Sequence, residues 1–448
     1  MTALRGLGVV QLALQALLTG AVAGCVIGAF RLAYTWLNSA SAALLRVQQI
    51  LSPNAAPWLA LLALFACLTL LGLVGFWLVR RVPLISGSGI PQVELVLAGR
   101  LPAFSWWRVL AAKFVGTLVS LTGGLAVGRE GPCIQMGACV GAGVGRLWQK
   151  AQEETQARSL VGGCVAGMTA AFGAPVAGMA FAFEDMRTPI SPALVLFCGL
   201  AAAAAELVVS HVLGLGLVFP FGEMGPATLW DACLLLPLCA VAGVVMGLFG
   251  AGYNALLVGL TRLGDRAFGK KTCAHCVRVL LAFWLAGALV CLYPTVIVGL
   301  GPGVVEQAGL ALAWPLGALL VLLACKVLFS CLSFASTVAG GLLMPMLGVG
   351  ALCGACLHGG LHGVPFLPLP EPGLTLTLCM AALFAATVRA PLTGAALLLE
   401  MTGAWHNPLR VPLVVGTAWL AAMTANACHS EPVYDSLKRR ILANNRHD

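Results

Sequence analysis

The sequence predicts an all-α protein that crosses the membrane several times and is assembled from two copies of one helical unit. Three observations predict this. Of 448 residues, 60% are hydrophobic and 9% are charged, with a mean hydropathy of +0.97. Soluble domains carry roughly 25% charged residues, and this much apolar surface needs lipid as its solvent. Charge-free stretches recur along the chain in uneven lengths, and blocks of sequence return at a nearly constant offset. The 54 glycines and 24 prolines fit close helix packing and interrupted helices, both usual inside membranes.

Taken in order, Gly6–Phe30 is a run of 25 charge-free residues closed by Arg31. A perpendicular span needs about 20, so this run reads as a first membrane helix, although "VAGC" at 22–25 resembles a lipoprotein cleavage box. Residues 47–79 and 232–261 each span with residues to spare. The stretches 114–128, 131–145 and 372–388, of 15, 15 and 17 residues, do not, and are expected to be short, tilted or broken.

Three Gly/Pro turns are candidate helix starts: "GSGIP" (87–91), "GREGP" (128–132) and "GGLLMP" (340–345). Proline suits a helix's first turn, and glycine lets backbone approach a ligand closely. Each start leaves unpaired N–H groups and a partial positive charge. Several aimed at one point would hold an anion with no full cation in the membrane. Glu130, inside the second turn, is a carboxylate whose ionised form is costly near mid-membrane. Helix N-termini would hold it ionised, and a bound anion would compete for the same donors.

The two copies are visible directly. Lys113, Gly128 and Pro132 match Lys326, Gly341 and Pro345 at one offset, 326 − 113 = 213. "APVAGMAFAFE" (174–184) matches "APLTGAALLLE" (390–400) at 390 − 174 = 216. The units are 1–218 and 219–430, joined near "VFPFGEMGP", with 431–448 as a C-terminal helix. The residues alone leave open whether the copies are parallel or inverted.

Composition also excludes. The net charge of +9 sits in loop clusters such as Arg80–Arg81, Lys270–Lys271 and Lys438–Arg440, which places those loops and the C-terminus in the cytoplasm. A nucleic-acid surface is not expected in so apolar a chain. Cys273 and Cys276 flank His275 without a second ligand pair, and His358 and His362 are separated by glycines, so no metal site is expected. No Ser/His nucleophile arrangement or metal-ligand cluster supports an intramembrane enzyme.

"GSGIPQ", "GREGP", "GGLLMP" and the late tyrosine in "EPVYDS", in that order, resemble the CLC family of chloride channels and chloride/proton exchangers. The resemblance covers essentially the whole chain. It implies a CLC-type fold of two inverted repeats and a homodimer with one pore per subunit in a bacterial inner membrane, its contacts made by 174–184, 192–210, 390–400 and 411–427. It also implies a chloride site formed by the hydroxyls of Ser88 and Tyr434 with backbone amides at Leu342 and Leu343. Leu343 stands where the family usually has Phe, a change that spares backbone donors and bears on pore width. Glu130 becomes the gate that competes with chloride. The internal proton relay maps to Asp185, with Glu184 beside it and Glu94 in support, and Gln92 stands where many members have Glu. Exchange of chloride for protons is the expected activity, without a cofactor; a passive chloride channel on the same scaffold is the alternative. Little chain follows Tyr434, so the nucleotide-binding regulatory domains of larger members are not expected.

Overall fold

The computed structural model describes residues 6–45, 57–102, 105–147, 153–216, 219, 228–269, 271–292, 314–361 and 371–445. The first half holds α1 (Gly6–Leu45), α2 (Pro57–Arg81), α3 (Ile90–Leu97), α4 (Trp106–Thr122), α5 (Glu130–Leu147), α6 (Glu153–Phe172), α7 (Pro175–Glu184) and α8 (Pro192–Glu206). The second holds α9 (Leu229–Leu234), α10 (Leu236–Phe268), α11 (Thr272–Leu292), α12 (Leu316–Ala335), α13 (Leu343–Leu361), α14 (Pro372–Val388), α15 (Pro391–Met401) and α16 (Arg410–Ala427). The last helix described is α17 (Val433–Asn445). The repeat junction at 217–218 and 220–227, and His362, lie outside the described residues.

Seven helical runs among the described residues are long and apolar enough to cross a membrane, so the protein is an integral, multi-pass membrane protein. Others are not. At a rise of 1.5 Å per residue, α3, α7 and α15, with 8, 10 and 11 residues, cover about half of a hydrocarbon core roughly 30 Å thick. Such helices end inside the membrane, and the start of α3, with Ile90 and Pro91 buried, faces an enclosed site there. Proline opens α7, α8, α14 and α15, where its missing N–H costs nothing.

The offsets of 213 and 216 carry α4 to α8 onto α12 to α16 in the same order. The copies are inverted, as α7 and α15 demonstrate. Glu184, ending α7, accepts bonds from the Leu392 and Thr393 amides (3.1 and 2.7 Å) and from Thr393 Oγ1 (2.8 Å) at the start of α15. Glu400, near the end of α15, accepts from the Val176 and Ala177 amides (2.9 and 2.7 Å) at the start of α7. Each helix thus caps the other, which only an antiparallel pair can do.

Small residues let the helices approach. A Cβ on Gly137 or Gly141 of α5 would overlap the Gly163 or Ser159 carbonyl of α6, so glycine is what permits this contact. Arg31 differs from its expected role of closing the first span. The helix runs on to Leu45, because the buried Arg31 guanidinium donates to the carbonyls of Ala170 (3.1 Å) and Gly216 (3.3 Å). A satisfied guanidinium does not need to mark a membrane boundary.

Candidate functional site

The three Gly/Pro turns lock together at the centre of the molecule. Gly128 and Gly341, equivalent in the two repeats, each donate an amide to the other's carbonyl at 2.6 Å. Gly87 donates to the Val338 carbonyl (2.8 Å) and accepts from the Gly340 amide (3.1 Å). These bonds satisfy turn backbone that has no helix to belong to. Gly131 must be glycine, since a Cβ there would overlap Ser88 Oγ. The starts of α3, α5 and α13 therefore converge, as the sequence predicts for three helix-initiating turns.

Beneath the first turn, Lys113 of α4 donates from Nζ to the carbonyls of Ile85 (2.8 Å) and Gly87 (2.6 Å). It is fully buried. The sequence marks this lysine as a repeat position; its bonds reveal it as the pin that holds the Ser88 turn.

Ser88, Leu342, Leu343 and Tyr434 are all buried around this junction. Ser88 Oγ is buried there without a hydrogen bond. Leu342 and Leu343 stand at the first turn of α13, whose leading amides have no intrahelical acceptor.

Glu130, with 0% of its surface exposed, reaches across to that same turn. Its Oε2 accepts from the Met344 amide at 3.3 Å, while Oε1 is buried without a hydrogen bond. Met344 was not among the expected donors, yet an N-terminal helical amide one residue beyond Leu343 is a natural one. Arg129 Nε lies 3.8 Å from Glu130 Oε1. The rule that helical neighbours do not face each other fails here because Arg129 precedes the helix. That attraction, about 4 kcal/mol at an effective dielectric near 20, is of the order of the penalty for burying a carboxylate, so neither state of Glu130 is locked.

A cavity of 460 Å³ opens onto Ser88 from the side carrying the basic loops. Arg80, Arg278, Arg440 and His275 line it with one carboxylate, Asp265, which pairs with Arg278 (2.7 Å) and Arg440 (2.7 Å). Its surplus of positive charge suits an anion's approach. His275 Nε2 meets Thr337 Oγ1 at 2.7 Å on its wall.

On the same inner side, Glu94 and Asp185 are neighbours. Glu94 Oε1 and Asp185 Oδ2 are both buried without a hydrogen bond, and each carboxylate lies within electrostatic reach of Tyr434. Glu184 is not with them, because its carboxylate is occupied at the start of α15. Lys438 and Asp435 of α17 join Glu94 here, and no sequence motif announces them.

A family model described as voltage gated chloride channel matches residues 71–424. An H(+)/Cl(-) exchange transporter ClcA of Cronobacter sakazakii is 33% identical over 440 residues, covering 96% of this chain and 90% of the relative. The transporter of the same name from Vibrio cholerae is 35% identical over 395 residues, with 86% and 81% covered. Among solved structures, a slow cyanobacterial Cl-/H+ antiporter superposes with a TM-score of 0.86 at 29% identity, covering 96% of this chain and 98% of the other. A CLC-type fluoride/proton antiporter, 22% identical with a TM-score of 0.74, covers 96% of this chain and 98% of its own and shares the fold.

Proposed function

We propose that this chain, which belongs to the voltage-gated chloride channel family, exchanges chloride for protons across a bacterial inner membrane and is a transporter rather than an enzyme. The observation that carries the reading is the bond between Glu130 and the Met344 amide, where three helix starts meet. A chloride held by Ser88, Tyr434 and the amides of Leu342 and Leu343 needs that corner of the site free of carboxylate charge.

The mechanism follows from competition for donors. An ionised Glu130 occupies the α13 amides as a tethered anion. Protonation removes its charge, weakens its hold on Met344 and lets chloride take the donors. Chloride arrives through the basic cavity that ends at Ser88. Protons reach Glu130 from the inner side through Asp185 and Glu94, with Glu184 acting as a cap of α15. Binding either ion thus changes the affinity for the other, and such coupling is reciprocal by linkage.

We divide the chain into repeats 1–218 and 219–430 and a terminal helix 431–448, a division supported by the equivalence of α4–α8 with α12–α16. We read the working form as a homodimer with one pore per subunit. Exposed apolar side chains on the segments expected to meet, among them Val176, Leu196, Leu207, Leu392, Trp419 and Met423, support that reading.

The test is co-transport in liposomes under an imposed chloride gradient. Wild-type protein moves protons against the chloride movement. Glu130→Gln, which cannot ionise, keeps chloride flux and loses proton movement by at least about a hundredfold, the range of a lost proton-transfer group. Chloride flux without proton movement in the wild type would contradict the exchanger.

A further inference from the structure

The first turns of α17 carry two kinds of chemistry on one face. Tyr434, the hydroxyl beside Ser88, and Lys438 are separated by four residues and so lie one above the other on a helix. Lys438 Nζ contacts Glu94 Oε2 at 2.5 Å and Asp435 Oδ1 at 2.6 Å. Arg187, from the segment after Asp185, reaches Asp435 Oδ2 at 3.2 Å. The groups that face one another here are therefore Glu94 from α3, Asp185 and Arg187 from the end of α7, and Tyr434, Asp435 and Lys438 from α17.

The arrangement is asymmetric. Glu94 has a cation on one oxygen and nothing on the other. Asp185 has a buried Oδ2 with no hydrogen bond, and among the described residues no ion pair reaches it. Glu94 is buried and Asp185 half-buried with its Oδ2 enclosed, and two such neighbouring carboxylates do not both stay ionised without compensation. The cation is in direct contact with Glu94, while Lys438 and Arg187 act on Asp185 only at longer range.

We propose that Lys438 is the fixed counter-charge of the internal proton route, holding Glu94 ionised and leaving Asp185 to carry the travelling proton. Lys438 is a positioning residue, acting through Glu94 rather than on either ion. Burial pulls the Lys438 ammonium down, but its bonds to Asp435 and Glu94 outweigh this and hold it above the ordinary lysine value. Burial pushes Asp435 up, and the bond from Lys438 outweighs it, so Asp435 sits below the usual aspartate value. Both are charged throughout the working pH range, and the clamp is permanent. The helix that presents the chloride hydroxyl thus also sets the charge of the proton relay, which physically joins the two pathways.

This assignment rests on the exchanger reading, and the experiment separates the two. Wild-type co-transport in liposomes reports on the exchanger; the ratio of proton to chloride flux in Lys438 variants reports on the clamp. In Lys438→Met the unclamped carboxylates retain their proton. Proton flux should fall about tenfold, the consequence of one pH unit in proton occupancy, with chloride flux within about threefold of wild type. The dependence of proton flux on inner pH should move toward higher pH, a shift that loosened packing alone does not produce. Lys438→Arg, which keeps the charge, should restore both ratio and profile.

The double variant Lys438→Met/Glu94→Gln removes the carboxylate that Lys438 would have left without its cation and guards against misfolding of the single one. Its loss should be no greater than that of Lys438→Met, because the two residues act as a pair. A wild-type flux ratio and pH profile in Lys438→Met would overturn the proposal. So would a Lys438→Arg variant as impaired as Lys438→Met, or additive losses in the double variant.

Discussion

Glycine at position 131 is imposed by a hydroxyl 43 residues away in sequence (131 − 88), because a Cβ there would occupy the space of Ser88 Oγ. Gly131→Ala should therefore push Ser88 out of the anion site while leaving the helices in place. Overpacking of this kind costs about 1–3 kcal/mol. Chloride affinity measured by titration calorimetry should fall about tenfold or more, with only a modest drop in melting temperature; an unchanged affinity would remove Ser88 from the site. Ser88, Glu130, Leu342 and Leu343 are legible in the sequence because they sit in turns whose Gly and Pro residues announce themselves. Arg129 comes beside Glu130 because it precedes the helix, where the spacing rule for helical neighbours does not apply. Lys438 is not legible at all: 344 residues separate it from Glu94, and no local pattern signals the contact.

Among elements, the most informative pair is α7 with α15. Their sequences match, which identifies them as copies, but a match cannot say which way each copy points through a membrane. The reciprocal caps do say so. They also engage Glu184, which stands beside Asp185 in sequence and whose carboxylate accepts three bonds from α15. Glu184→Ala should destabilise the protein by about 1–2 kcal/mol, as loss of a helix cap does. Thermal unfolding in detergent would reveal it, and Glu400→Ala should do the same at the other end. The ratio of protons to chloride moved should stay at the wild-type value in Glu184→Ala. A collapse of that ratio would return Glu184 to the relay.

At the scale of the whole molecule, two inverted copies produce a site that neither contains alone. Gly128 and Gly341 bond each other across the repeat boundary, and the three residues between the matched Gly and Pro differ, Arg-Glu-Gly in the first copy against Leu-Leu-Met in the second. At the offset of 213 (343 − 130), the first copy has Glu130 and the second has Leu343. In the proposed mechanism, a related pair of helix-starting turns becomes a gate because only one of them carries its own anion.

That claim, that Glu130 and chloride exclude each other from one set of donors, is open to direct measurement. Chloride is titrated into purified protein in weakly buffered detergent solution while a pH indicator records protons taken up or released. Chloride that displaces an ionised Glu130 favours its protonated form. The wild type should therefore take up protons as chloride binds, and Glu130→Gln should bind chloride with no proton uptake. Chloride binding by the wild type with no proton uptake, at every pH across the range in which Glu130 titrates, would contradict the account.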